Sequence, residues 1–265
     1  MRLSRVFGVA NQKGGVGKTT TAINLAASLA ANDLKVLVID SDPQGNATTG
    51  LGVKKDPDRP STYHLILGDC EPEAAIVPTE MEGLHIVPAD KNLVGANLEL
   101  VDQPDREYRL RGRIEQIRQN YSYVLIDCPP ALDLLTLNAL IASDAVLVPI
   151  QCEFFALEGI AELMDTIERI RESFRHPLAV AGILLTMYDD RTVLTRQVAA
   201  DLKEFFGDQV FKTVIPRSIR LAEAPSFGKP ILGYDPRSRG AESYIRLAKE
   251  ILDHDATRTS AKGAR

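Results

Sequence analysis

Seven short runs of β-branched and other apolar residues recur along the chain, at 6–10, 35–40, 84–88, 123–127, 145–150, 178–186 and 210–215. Most are apolar at every position rather than at every second one. A strand wetted on one face alternates, whereas a strand apolar on both faces is covered on both, so the pattern demands a sheet between two layers of helices. Segments 18–31, 107–119, 156–172, 192–206 and 240–253 have helical spacing and interleave with the strands, as parallel crossovers require. The expectation is an α/β fold: a doubly wound, mostly parallel sheet with helices on both faces, forming one domain over residues 1–253. Residues 53–83, with Pro57, Pro60, Pro72 and Pro78, read as an irregular excursion, and residues 254–265 as a disordered tail.

Composition sets further limits. With 265 residues, 45% of them hydrophobic, the chain can bury a sizeable core. No apolar run approaches the roughly 18 to 20 residues of a membrane span. The N-terminus, with Arg2 and Arg5, runs straight into a glycine-rich stretch and leaves no room for a signal sequence, so a cytoplasmic location is expected. Cys70, Cys128 and Cys152 contain no C-x-x-C pair, which argues against a disulfide framework and a structural zinc site.

The most informative segment is 11–20, Asn-Gln-Lys-Gly-Gly-Val-Gly-Lys-Thr-Thr, between the first strand and an alanine-rich helix. In that setting Gly14, Gly15, Val16 and Gly17 let successive backbone N–H groups converge on a polyphosphate. The helix aims its positive end at the same anion, Lys18 adds a point charge, and the Thr19 hydroxyl is placed for Mg²⁺, with Thr20 following. The usual G-x-x-x-x-G-K-[ST] spacing is broken, because Gln12 stands where its first glycine belongs and Lys13 precedes a double glycine.

This loop resembles the deviant Walker A motif of the ParA/MinD family of P-loop ATPases. The stretches Val-Ile-Asp-Ser-Asp-Pro-Gln-Gly-Asn-Ala-Thr at 38–48, Leu-Ile-Asp-Cys-Pro-Pro at 125–130, 151–159 and 215–225 are similar to its chromosomal ParA (Soj) branch, and the similarity covers roughly 5–252. The resemblance implies a DNA-segregation ATPase that uses ATP and Mg²⁺, forms an ATP-dependent homodimer, binds double-stranded DNA without sequence specificity when ATP-bound, and works with a ParB-type centromere-binding protein. It also implies that Lys13 crosses a two-fold interface to the partner's ATP, and that Met187, Pro216 and Arg217 border the adenine.

Two acids, Asp40 and Asp42, end one apolar strand, and Asp127 ends another, at the carboxyl edge where open α/β sheets bind ligands. Asp42 then falls near the γ-phosphate, and the resemblance makes it the residue that positions the attacking water. Asp127 has the Walker B position and is expected to reach Mg²⁺ through water. Asp40 is expected to support the metal shell or the loop. Each acid could instead cap the next element. Iron–sulfur proteins share this fold, but the spacing of Cys128 and Cys152 does not suit a cluster, and both read as small apolar core residues.

Charge is uneven: the chain carries a net −5, yet 212–249 holds 8 basic against 3 acidic residues. That is either a solvated basic face or a nucleic-acid surface. Resemblance favours the second and points to Arg191 and Arg220 as DNA contacts, with Lys229, Arg246 and Lys249 contributing less. A MinD-type positioning ATPase is the alternative, but the segment after Asp253 has no apolar face for lipid. A plasmid or protein-cargo relative shares the chemistry, although no additional DNA-reading segment precedes the glycine-rich loop.

Overall fold

The computed structural model describes residues 4–263. Its sheet contains β1 (Arg5–Val9), β2 (Val36–Asp40), β3 (Val77–Pro78), β4 (Leu84–Val87), β5 (Tyr123–Asp127), β6 (Ala145–Gln151) and β7 (Ala179–Thr186). The order is β3-β4-β2-β5-β1-β6-β7, and every pairing is parallel except β3 with β4. This is the doubly wound α/β fold expected from the continuous apolar strands.

Successive residues of each strand enter opposite cores. Val6, Leu37, Ile39, Val124 and Ile126 join one, under the helices Arg109–Ile117, Leu134–Ala142 and Ala156–Phe174. Phe7, Val36, Val38 and Leu125 join the other, under the helix Lys18–Ala30 and the C-terminal helix Arg239–Gly263. Burial of both faces accounts for the absence of alternation. The two helices of the second layer pack closely, so the chain's last element sits against the helix that opens the glycine-rich loop.

Several expectations need correction. Residues 210–215 are not a strand: Phe211 and Ile215 donate to the carbonyls of Ile183 and Leu185 on β7, but the intervening Lys212 and Thr213 amides bond the Glu250 carboxylate at 2.7 and 3.0 Å. That capture interrupts the ladder. The helix Leu134–Ala142 escaped notice because its residues are almost all apolar and show little amphipathic period. The excursion at 53–83 contains a helix, Thr62–Leu67, started by a reciprocal cap between Ser61 and His64.

The tail expected to be disordered continues the C-terminal helix as far as Gly263. Asp255 anchors it, accepting from Arg5 at 2.9 Å and from the Tyr123 hydroxyl at 2.9 Å. Once a helix is anchored, each further residue adds a hydrogen bond without a new nucleation cost. The final two residues of that tail lie outside the described residues. No helix among the described residues is long and apolar enough to cross a membrane.

Candidate nucleotide-binding site

The loop between β1 and the helix Lys18–Ala30 turns twice through left-handed backbone, at Gly15 (φ 75°) and Gly17 (φ 89°). A side chain at either position is strained, which is why the loop is glycine there. Gly17 caps the helix without a side-chain bond, so the first amides of the helix stay open toward the cavity. Two side chains outside the glycines hold the loop. Asn11 Nδ2 donates to the Pro149 carbonyl at 2.8 Å while its Oδ1 accepts from the Lys13 amide at 2.9 Å, and Thr186 Oγ1 donates to the Val16 carbonyl at 2.8 Å.

Lys18 lies across the loop, only 8% exposed, with its ammonium donating to the Lys13 carbonyl at 2.9 Å. Burial pulls its pKa below the usual lysine value, while the carboxylates of Asp127 and Asp42 oppose that shift. Among the described residues the ammonium bonds one neutral acceptor, which leaves it well placed for a polyphosphate.

The loop opens on a cavity of ≈ 740 Å³. Gly14, Gly15, Gly17, Lys18, Thr19, Thr20, Asp42, Met187, Pro216 and Arg217 all line it, so the structure gathers these expected residues. Val16 is buried behind the loop, and Asp40 and Asp127 are fully buried beneath the wall. Lys13 also lies off the wall: its ammonium donates to the Phe155 carbonyl at 2.9 Å and sits 5.5 Å from that ring's centre. The far wall includes Ile215, Leu221 and Tyr244, which sequence reasoning did not single out. Thr186 and Asn11 were also missed as loop anchors. Asn11 has a local signal, being the residue between strand and loop, but the others come from distant segments and have none.

The carboxylates have different surroundings. Asp40 and Asp127 face each other across the β2–β5 pairing. Asp40 accepts from the Thr48 amide at 2.8 Å, the Thr48 hydroxyl at 2.7 Å and the Asp42 amide at 3.2 Å. Burial still raises its pKa to about 6. These bonds tie down the loop after β2. Asp42 accepts from the Gln44 amide at 2.9 Å and remains on the cavity wall.

Neither oxygen of Asp127 has a hydrogen-bond partner, although both are buried. Burial, followed by the charge of Asp40, pushes its pKa well above the usual carboxylate range, with the Thr19 hydroxyl and Lys18 opposing. A buried, unpartnered acid is costly unless a cation or its water shell completes it. With Thr19 beside it, this donor set fits Mg²⁺, which keeps several waters and takes few protein oxygens. Among the described residues no cluster of three or more His, Cys, Asp or Glu side chains forms a metal cage. Cys128 and Cys152 lie in the apolar core, and burial raises both thiols, Cys152 to about 11.

The basic residues expected at DNA are exposed, and all but Lys249 stand beside a surface carboxylate. Arg191, with an 85% exposed side chain, makes a two-pronged contact to Asp189 at 2.8 and 2.6 Å. Arg220 pairs with Glu223 at 3.1 Å and Asp235 at 3.6 Å. Lys229 lies 4.0 Å from Glu80, Arg246 lies 3.8 Å from Glu242, and Lys249 is exposed. Exposed pairs of this kind are screened by solvent, contribute little and yield readily to a stronger anion.

A glycine loop feeding a helix N-terminus, with a lysine, a hydroxyl and strand-end carboxylates around one cavity, defines a P-loop nucleotide-hydrolysing protein. Comparison with known proteins narrows the class. A family model described as AAA domain matches residues 4–180. The chromosome partitioning protein ParA of Caulobacter vibrioides is 53% identical over 262 residues, 98% of each chain. The sporulation initiation inhibitor protein Soj of Bacillus subtilis is 50% identical over 249 residues, 94% of this chain and 98% of that one. Among solved structures, cobyrinic acid a,c-diamide synthase from Mycobacterium smegmatis with bound ATP analogue and magnesium aligns with TM-score 0.82 and 38% identity, covering 95% of both chains. The chain belongs to the ParA/Soj family of chromosome-partitioning ATPases.

Proposed function

We propose that this ATPase works as an ATP-switched dimer that binds DNA without reading its sequence and lets go when a ParB-type partner on centromere-like DNA triggers hydrolysis. The observation that carries the reading is the convergence of the open loop amides, Lys18, Thr19 and Asp42 on one cavity, with the unpartnered Asp127 buried behind it. Relatives at about half identity over nearly the whole chain bear the chromosome-partitioning name.

In this reading Gly14 to Thr20 and Lys18 hold the phosphates, while Met187, Pro216 and Arg217 flank the base. Thr19, with Asp127 through water, holds Mg²⁺, which when bound neutralises developing phosphate charge. Asp42, on the cavity wall, orients the attacking water. Lys13, whose ammonium rests on the Phe155 carbonyl outside its own cavity, exchanges that contact for the ATP of a second subunit, much as an arginine finger acts in trans. Arg191 and Arg220, with Lys229, Arg246 and Lys249, exchange their surface carboxylates for DNA phosphates, and a dimer doubles the number of such contacts.

Co-sedimentation with unrelated duplexes in ADP, ATP and a nonhydrolysable analogue tests this. Binding is expected in ATP and the analogue, falling steeply with salt, and association with the nucleoid follows from it. Equal binding in ADP and ATP, or ATP-dependent sedimentation with lipid vesicles instead, overturns the reading.

A further inference from the structure

The turn that carries Asp42 is held from within and from both sides. The Asp42 carboxylate accepts from the Gln44 amide at 2.9 Å, and the Asp42 carbonyl accepts from the Gly45 amide at 2.8 Å. On the inner side the Thr48 hydroxyl, itself bonded to Asp40, accepts from the Ala89 amide at 2.9 Å. On the outer side the ammonium of Lys55 donates to the Gln44 carbonyl.

Gly45 shows how close these walls stand. Its backbone is left-handed, with φ 60°, and a Cβ there would lie 2.5 Å from the Ala89 carbonyl oxygen and 2.7 Å from Lys55 Cε. Glycine is therefore required, yet glycine is also the residue that least holds its own conformation. The turn depends on its walls. Ala89 is buried and tied to the Asp40–Thr48 bonds, so that wall does not give. The other wall is one exposed lysine.

Segment 53–60, the start of the proline-marked excursion, brings that lysine into place. The Val53 amide donates to the Thr48 carbonyl at 3.1 Å and turns the chain back along the short helix Asn46–Gly50. Arg59 then donates to the Lys54 carbonyl at 3.2 Å and pairs with Asp56 at 3.6 Å. That pair occupies the neighbouring acid. Lys55 makes no ion pair among the described residues, and its ammonium is bonded to the neutral Gln44 carbonyl instead.

We propose that Lys55 is a positioning residue for hydrolysis: by fixing Gln44 it keeps the Gln44 amide on Asp42 and so aims the Asp42 carboxylate at the attacking water. This rests on the reading of Asp42 as the water-orienting group. Gln44 and Asp42 line the nucleotide cavity, whereas Lys55 lies off its wall. Its loss should therefore be felt in the chemical step and not in ATP binding, which belongs to the glycine-rich loop and Lys18. An exposed hydrogen bond to a carbonyl adds little to stability, so the fold should survive the change.

The test compares Lys55→Met, which keeps the stem and removes the ammonium, with Lys55→Arg and Lys54→Met in the full chain. Lys55→Met should lower single-turnover hydrolysis in Mg²⁺ and ATP roughly tenfold, with ATP affinity, melting temperature and ATP-dependent dimerisation unchanged. Lys55→Arg should recover most of the rate, and Lys54→Met should match wild type. Hydrogen exchange over residues 42–50 should be faster in Lys55→Met alone. In an Asp42→Ala background Lys55→Met should cause no further loss, because the two act as one unit. The proposal is overturned if Lys55→Met hydrolyses ATP like wild type, if ATP affinity or dimerisation falls in step with the rate, if Lys55→Arg recovers nothing, or if the two losses add. Normal hydrolysis by Asp42→Ala refutes the reading of Asp42 and this role together. A loss in Asp42→Ala with none in Lys55→Met refutes the role of Lys55 alone.

Discussion

The hydroxyl of Tyr244, on the C-terminal helix, meets the hydroxyl of Thr21, three residues beyond Lys18, at 3.2 Å in the protein interior. Tyr244 is fully buried and also lines the nucleotide cavity. One buried hydrogen bond thus joins the helix that opens the phosphate loop to the helix that carries Arg246 and Lys249. Thr21→Val leaves the phenol without a partner and should lower stability by about 1–3 kcal/mol, whereas Tyr244→Phe should lower it less. Urea unfolding of both variants checks the order, and equal stability to wild type in both removes the bond from the account.

Lys18→Ala and Asp42→Ala should fail at different steps. The first removes the buried charge opposite the phosphates and should lose productive ATP binding. The second removes a wall carboxylate from the chemical step, so ATP should bind while hydrolysis nearly stops. Nucleotide titration and single-turnover assays separate the two, and normal hydrolysis by Asp42→Ala sinks the water-positioning role.

Asp127→Asn should trade function for stability. The native carboxylate is buried without a partner beside Asp40, so removing its charge relieves a penalty, and the ligand-free variant should unfold at higher denaturant, by about 1 kcal/mol or more. Hydrolysis in Mg²⁺ should fall sharply. A ligand-free variant less stable than wild type argues that the acid has a structural partner.

Lys13→Ala should bind ATP as a monomer but not dimerise, because its ammonium rests on Phe155 and not on its own cavity wall. Analytical ultracentrifugation in ATP provides the measurement. Dimerisation equal to wild type rules out the role in trans.

The Arg191→Glu, Arg220→Glu double variant should dimerise in ATP yet lose binding to unrelated duplexes. Both arginines are held by exposed carboxylates that phosphates can replace, and reversal both removes contacts and repels the backbone. Undiminished DNA binding locates the surface elsewhere.

Much of this protein follows from local sequence. Six of the seven strand runs formed sheet strands because continuous apolarity is intelligible only between two helical layers, and segment 11–20 specified its loop because glycine and lysine at that spacing suit little else. The strand-end acids were legible for the same reason. Local pattern alone puts Asp40 and Asp127 on the same footing, since each follows an isoleucine at the end of an apolar strand, and their different expected roles came from the motif position and the resemblance. Tertiary structure decided it: Thr48 reaches Asp40 with its amide and hydroxyl and satisfies it, while among the described residues both Asp127 oxygens stay buried without a hydrogen-bond partner, with only Thr19 and Lys18 near enough to offset the charge. Likewise Glu250 captured the amides of Lys212 and Thr213 and cancelled a strand, and Asp255 extended a helix by bonding Arg5 and Tyr123. Local pattern sets which backbone states and faces are affordable, but a buried polar group is settled only by whichever partner folding brings within 3 Å or so, however far away in the chain it lies.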